Sequence, residues 1–277
     1  MRYRPADVPV LSEQVQETLA RNRTVVAAAC GDDLLRVQRA LDLQHGIASE
    51  FIWLLDTGFA PRYERERVAF WLFHKNLVAF TGALELIRLG LFGPARPLLR
   101  SIFEGQLLAK YCVLSGAEDL ARRWREGRVI YVGKEVFRKI AEPDIRPLEE
   151  FWGLLSDYSH ASILAHQRTL DVREPEHHGE LTLTVVFLQM LVECNYHVLS
   201  THLLTDSINY YARHYGRQYT IPQQRREARE LMRSFRDRYA VEARLVVEIF
   251  KRRWILKHSS GGDPGFPSAH IAAPWPI

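Results

Sequence analysis

The feature that most constrains the fold is the spacing of apolar residues, which recur every three or four positions along most of the chain. Between Glu64 and Leu89 they follow one helical face, and Gly90 with Gly93-Pro94 closes the segment. No stretch of any length alternates apolar and polar residues as a half-buried strand does, and no repeat recurs at a fixed period. The sequence therefore predicts an all-α protein, a bundle of long helices with an up-down core and peripheral N- and C-terminal helices.

The same spacing and the positions of glycine and proline predict the remaining elements. Before Glu64 they are a short helix from Glu13 to about Arg23, capped by Ser12, and a helix from Gly31 to Thr57 that is bent near Gly46. After Leu89 they are a helix from Gly93 to Leu114, a charged helix from Glu118 to about Ile140, and a helix from Pro147 to Arg168. The last three are a polar loop from Arg173 to Gly179, a central helix from Glu180 to about His214, and a basic helix after Ile221-Pro222.

We divide the chain into four parts on these patterns. Residues 1–63 supply N-terminal helices that pack on the core, and residues 64–214 form the helical core that carries the polar site. Residues 215–258 form a basic C-terminal helix. Residues 259–277 are rich in Gly, Pro and Ser, and we expect them to be extended or disordered.

Composition favours a cytoplasmic protein. With 277 residues, 47% of them hydrophobic, the chain can bury a substantial core. Cys30, Cys112 and Cys194 are odd in number and far apart, which indicates neither a disulfide framework nor a cysteine zinc site. The N-terminal residues show no secretory signal. The longest apolar stretch, Leu181 to Leu204, contains several polar residues and predicts a buried central helix rather than a membrane span.

Positive charge is concentrated near the C-terminus. The net charge of the chain is +4, whereas residues 223–257 contain eleven basic and five acidic residues, a net charge of +6. Such a segment could hold nucleic acid, and Arg225, Arg226, Arg229 and Arg233 are its candidate RNA contacts. The alternative is a solvated helix with ion pairs such as Arg226 with Glu230.

Four predicted helices carry polar residues where core residues are expected. The sets are His74/Thr81/Glu85, Arg100/Glu104, Asp157/His160 and Gln189/Glu193/His197. Buried charges are costly unless they are paired, so several of these side chains should meet. The simplest interpretation is that Arg100 pairs with Glu104 and that the network only locks the core of a non-catalytic interaction module.

A second interpretation is a metal site. Ferritin-like di-iron or di-manganese proteins take a carboxylate from each of two helices and a carboxylate-x-x-His pair from each of two others. The candidate ligands here are Glu85, Glu104, Asp157, His160, Glu193 and His197. The pair Glu193/His197 departs from that pattern by one residue, and Arg100 would place a positive charge beside the metal ions.

The favoured interpretation needs no cofactor. An arginine can hold a phosphate, and a histidine can move the proton of a ribose 2′-hydroxyl. Arg100 would then be the phosphate clamp, Glu104 the orienting carboxylate and His160 the acid/base, with Tyr158 and Ser159 as nearby hydroxyl donors. A further Arg-x4-His spacing, Arg173 with His178, is a weak signal because such pairs arise readily by chance.

Two segments, RPLLRSIFEGQLLAKYCVL and FWGLLSDYSHAS, carry a resemblance. They resemble a bacterial all-helical family of unknown function in which an Arg-x-x-Phe-Glu helix precedes a Ser-x-x-Ser-His segment, and this family is distantly similar to HEPN-type bundles. The resemblance implies a metal-independent ribonuclease of toxin–antitoxin or phage-defence type, with Arg100, Glu104 and His160 in its site, or an inactive dimerising or nucleic-acid-binding module. Separately, we expect the protein to form a dimer through apolar helix faces. The chain lacks a convincing Arg-x4-6-His motif on a helix, which is the usual mark of HEPN proteins.

Two cysteines and five aromatic residues are explained by burial in the core and need no chemical role. Cys112 and Cys194 lie in apolar runs and are expected to be inert core thiols. Five aromatic residues fall at core spacing and are expected to be buried: Trp71, Phe73, Phe80, Phe103 and Trp152.

Overall fold

A computed structural model describes residues 9–56, 64–114, 118–137, 149, 151–153, 155–156, 175–198 and 223–237. Among these residues every regular element is helical and none is a strand, so the predicted all-α fold is confirmed. The elements are α1 (Pro9–Asp56), α2 (Glu64–Arg88), α3 (Phe92–Leu114), α4 (Glu118–Arg125), a turn of π-helix (Val132–Val136), α5 (Pro175–His197) and α6 (223–237).

Four long helices form the core of the bundle. α2 and α3 pack along each other as a hairpin whose connection contains Gly90 at φ 73°. This left-handed conformation favours glycine, which explains why the chain reverses there. α1 and α3 each contact both α2 and α5, and α4 packs on α2 and α3.

α5 is the central helix. Every residue from 183 to 193 is buried, as expected for a helix that is apolar on all sides. The predicted central helix is therefore confirmed over α5, while its extension towards His214 lies outside the described residues. No helix in the described ranges combines the length and apolarity that crossing a membrane requires.

The N-terminal segment forms two helices, as predicted, and they are joined across a kink within α1. Ser12 lies inside α1 and not at its start, because the helix begins at Pro9. The two helices meet at Cys30, with φ −148° and ψ 23°, whereas the bend predicted near Gly46 is not observed in the described residues of α1. Gly46 instead lies where α6 approaches, because a Cβ atom there would lie 2.8 Å from the side-chain nitrogen of Gln224.

Two predicted boundaries downstream were also wrong. The charged helix predicted from Glu118 ends at Arg125, because Gly127 adopts φ 73° and residues 128–131 are not helical before the π-helical turn. The predicted polar loop is helical from Pro175 onwards. Proline suits the first turn of a helix, since its missing N–H would have no partner there.

α6 is amphipathic and docks on the core. Ala228, Met232 and Phe235 are buried on one side of the helix. The hydroxyl of Tyr196 in α5 donates to the backbone carbonyl of Arg225 over 3.0 Å. α6 is thus held against the bundle while its opposite side faces solvent.

Candidate functional site

The centre of the predicted site is the Arg100–Glu104 pair of α3. Their spacing of four residues places them one turn apart, and Arg100 Nε donates to Glu104 Oε1 over 3.1 Å. The predicted pairing is confirmed. The side chains are 22% and 31% exposed, so solvent reaches a charged pair that is otherwise enclosed by protein.

Trp152 completes this cluster, and sequence reasoning missed its role. Its indole Nε1 donates to Glu104 Oε1 over 2.8 Å, and the guanidinium carbon of Arg100 lies 5.1 Å from the centre of the indole ring. The second contact is a cation–π interaction. Trp152 was predicted to be a core residue, but it is only partly buried, because its indole N–H donates to the partly exposed carboxylate of Glu104.

The helical residues 151–153 and 155–156 hold the indole in place. Phe151 packs edge to face against Phe103 of α3 and Phe187 of α5, with both ring centres 5.0 Å away. The backbone of Gly133, in the π-helical turn, lies beside the ring, since a Cβ atom there would be 3.5 Å from it. A rigid support of this kind fixes the geometry of the Glu104 carboxylate.

The structure tests the predicted convergence only in part. It brings Arg100 and Glu104 together, whereas Tyr158, Ser159 and His160 lie outside the described residues. The same holds for Arg173. His177 and His178 belong to α5 rather than to a loop, although their side chains are outside the described part.

The described members of the metal set are each engaged by arginine. Glu85 lies on the exposed side of α2 and pairs with Arg88, and Glu104 pairs with Arg100. In the described ranges no three His, Cys, Asp or Glu side chains are placed to hold a metal ion. Asp157 and His160, which the set also needs, lie outside those ranges, so the di-iron or di-manganese site stays a prediction without support from the described ligands.

Glu193 and His197 meet a partner that the sequence did not suggest. The Glu193 side chain, 5% exposed, accepts a hydrogen bond from Arg236 Nε of α6, and Arg236 Nη2 lies 2.9 Å from His197 Nε2. Glu193 Oε1 and His197 Nε2 are 3.4 Å apart. The Glu193–Arg236 contact is a salt bridge between residues 43 positions apart in the sequence, which no local spacing could reveal.

A buried amide network joins three helices, and it too was missed. Asn195 of α5 donates to the side-chain oxygen of Gln44 in α1 over 3.1 Å, and Asn76 of α2 donates to Asn195 over 3.3 Å. Gln44 donates in turn to the backbone carbonyl of Val192 over 3.0 Å. Buried polar groups with good partners specify one packing arrangement, so this network helps fix the register of the bundle.

The exposed side of α6 is lined by arginines. Arg226, Arg229 and Arg233 are exposed, and none of them forms an ion pair within the described part of the chain. The predicted pair of Arg226 with Glu230 is therefore not formed. With Arg225 and Glu230, these residues line a cleft of about 480 Å³. Because four of these lining residues are arginines and one is a glutamate, the cleft carries a net positive charge.

The environments of Cys112 and Cys194 disfavour the nucleophilic thiolate form. Burial raises the pKa of Cys112 to about 12, with a smaller contribution from the nearby carboxylate of Glu118. Burial also raises the pKa of Cys194, and Glu193 adds to that effect. A thiol that stays protonated is a poor nucleophile, which agrees with the prediction of inert thiols.

Comparisons of this chain with protein-family profiles, with curated proteins and with solved structures gave no match.

Proposed function

We propose that this protein is a bacterial defence or stress effector that acts on RNA as a homodimer, binding the strand at α6 and cleaving it without a metal ion. The observation that carries this proposal is the set of exposed arginines, Arg226, Arg229 and Arg233, for which the described chain supplies no ion-pair partner. Arginines that are not neutralised within the protein favour an external polyanion.

The shape of α6 supports binding along a strand. Its arginines recur every three or four residues, so they project from one side of the helix at intervals of about 4.5–6 Å along its axis. The opposite side is buried through Ala228, Met232 and Phe235. A docked helix presents its cations in a fixed row, which limits the entropy lost when a strand binds.

The proposed chemistry uses Arg100, Glu104 and His160. Arg100 binds the phosphate while Glu104, itself held by Trp152, orients the guanidinium. The His160 imidazole takes the proton from a ribose 2′-hydroxyl, and the 2′-oxygen attacks phosphorus as the bond to the 5′-oxygen breaks. The imidazolium then returns the proton to the leaving 5′-oxygen. The products are a 2′,3′-cyclic phosphate and a 5′-hydroxyl end, with Tyr158 and Ser159 as further donors.

RNA binding is tested by fluorescence anisotropy with a labelled single-stranded RNA at several salt concentrations. Replacing Arg226, Arg229 and Arg233 with alanine should weaken binding and reduce the slope of log K against log salt by about 2, since each phosphate contact on a single strand contributes roughly 0.7. The matched control is a triple alanine variant of three exposed arginines elsewhere: Arg23, Arg36 and Arg128. Equal losses in both triple variants would show that net charge, and not α6, governs binding.

Cleavage is tested with the same RNA and with its all-2′-deoxy counterpart, in excess chelator. The RNA should be cut and the deoxy strand should not, because the nucleophile is the 2′-oxygen. His160→Ala and Arg100→Ala should each lower the rate about 10²–10⁴-fold, while circular dichroism confirms that both variants are folded. Cleavage that disappears with chelator and returns with iron or manganese would instead support the di-metal alternative.

The second candidate function is a non-catalytic interaction module. It is favoured by the buried amide network and by the Arg100–Glu104–Trp152 cluster, in both of which polar side chains form hydrogen bonds with one another within the protein. Under this alternative RNA is bound but not cut, and Glu104→Gln destabilises the fold without any change in RNA binding.

A further inference from the structure

One side of α2 carries large apolar side chains in contact with solvent. α2 packs against α1, α3, α4 and α5 on its other sides. Trp71 was predicted to be a core residue, but it is 56% exposed, and Val78 is 62% exposed. They lie seven residues apart, which is two helical turns, and therefore share the open side of α2.

The same side of α2 has a cation at one end and an anion at the other. Arg67 and Glu85 are both exposed, and they are 18 residues apart, which is five turns of about 3.6 residues. They therefore lie on one line with Trp71 and Val78 between them. Arg67 and Glu85 each lie nine residues from position 76, which is about 13.5 Å along the helix axis. Arg67 forms no ion pair in the part of the chain that the structure describes.

We propose that this open side of α2 is a homodimer interface, occupied by α2 of a second copy running antiparallel across a two-fold axis near position 76. This inference rests on the homodimer included in the proposed function and names its surface. A two-fold axis there places Arg67 opposite Glu85 of the partner subunit and repeats the contact in reverse. Trp71 then lies opposite Thr81 of the partner subunit.

Charge complementarity is the reason to choose a second copy over an unrelated protein. An antiparallel copy exchanges the two ends of the face, so a surface with opposite charges at equal distances from its centre complements itself. Glu85 already pairs with Arg88, and a carboxylate has two oxygens that can accept a second guanidinium.

The central lysine is compatible with this arrangement. Lys75 lies near the axis, where the amines of the two copies would repel each other if they pointed at one another. Its Nζ lies 3.5 Å from Ser101 Oγ of α3, and this contact holds the ammonium group away from the two-fold axis. The aliphatic part of the side chain then covers the apolar centre of the face.

The experiment is sedimentation equilibrium of the full chain over a range of micromolar concentrations. Trp71→Lys should weaken dimerisation by at least about thirtyfold, as for a central aromatic residue of an interface. Its matched control, Val15→Lys, changes an exposed apolar residue of α1 and should leave the dimer unchanged. The circular dichroism spectrum of the same samples should be unaltered, because Trp71 is a surface residue.

A charge exchange tests the antiparallel register. Arg67→Glu alone and Glu85→Arg alone should each weaken the dimer about three- to tenfold, whereas the double variant should recover most of that loss. A wild-type chain that is monomeric throughout overturns both this inference and the homodimer. A wild-type dimer that survives Trp71→Lys, or a double variant weaker than either single one, overturns the interface alone and leaves RNA binding to be judged by its own experiment.

Discussion

Gly105 of α3 faces the buried amide of Asn76 so closely that a Cβ atom there would lie 2.6 Å from Asn76 Oδ1. The Asn76 side chain cannot move away freely, because its amide nitrogen donates a hydrogen bond to Asn195 Oδ1. The absence of a side chain at Gly105 is therefore what lets α2 and α3 approach each other at this level. A Cβ atom added at Gly31 of α1 would meet no atom of the described residues within 4 Å, so Gly31 has no such packing role.

We predict that Gly105→Ala destabilises the protein by about 1–3 kcal/mol, the usual range for overpacking, despite the better helix propensity of alanine. Gly31→Ala should be neutral or stabilising by up to about 1 kcal/mol, since only the propensity changes. Urea unfolding followed by circular dichroism measures both. A Gly105→Ala variant as stable as the Gly31→Ala variant would show that the Asn76 amide moves without cost.

At the scale of elements, two ion pairs of different character join α6 to helices in the described part of the bundle. Arg39 of α1 pairs with Glu227, with side chains 55% and 39% exposed, and the distance from Nη2 to Oε1 is 2.6 Å. Glu193 of α5 pairs with Arg236, and its carboxylate is nearly buried. Exposed pairs contribute little because water competes for both charges, whereas a buried carboxylate depends on its partner.

We therefore predict that Arg236→Ala destabilises the protein by about 2–4 kcal/mol, because it leaves the buried Glu193 carboxylate without this partner. The control is Arg39→Ala, which removes the exposed pair and should cost less than about 1 kcal/mol. Urea unfolding gives both values. Similar losses in the two variants would mean that His197 and other contacts satisfy Glu193 without Arg236.

At the scale of the whole molecule, the packing of α1 on α2 brings two histidines close together. Burial lowers the pKa of His45 below its ordinary value of 6.5, and the nearby His74 lowers it further, while Asp42 raises it. The folded protein therefore binds a proton at His45 less readily than the unfolded chain does. Neutral His45 therefore contributes stability at pH values above the pKa of this histidine in the unfolded chain. This contribution is lost as the pH falls from the pKa of the unfolded chain towards the lower pKa of the folded protein.

We predict that the free energy of unfolding falls between about pH 7.5 and pH 5.5, and that His45→Gln makes this fall smaller. The glutamine cannot take up a proton, so unfolding of the variant does not depend on the protonation of this position. Urea midpoints at the two pH values measure the effect. An equal fall in the variant and the wild type would place the pH dependence at other groups.

Much of the fold was predictable because helix formation depends on neighbours in sequence. The periodic apolar positions gave α2 and α3 with nearly their observed bounds, and the four-residue spacing was enough to pair Arg100 with Glu104. Even at this scale, the apolar character of Trp71 did not reveal that its side of α2 would be left open.

The amino-acid sequence alone determined the all-helical class, the buried central helix and the one-turn ion pair, since each follows from spacing within a few residues. Only the tertiary structure decided that Trp152 binds Glu104, that Arg236 binds Glu193 and that Gln44, Asn76 and Asn195 meet. Those contacts join residues between 43 and 151 positions apart, and they form only when the helices pack. Packing depends on the fit of whole helical surfaces rather than on any local pattern.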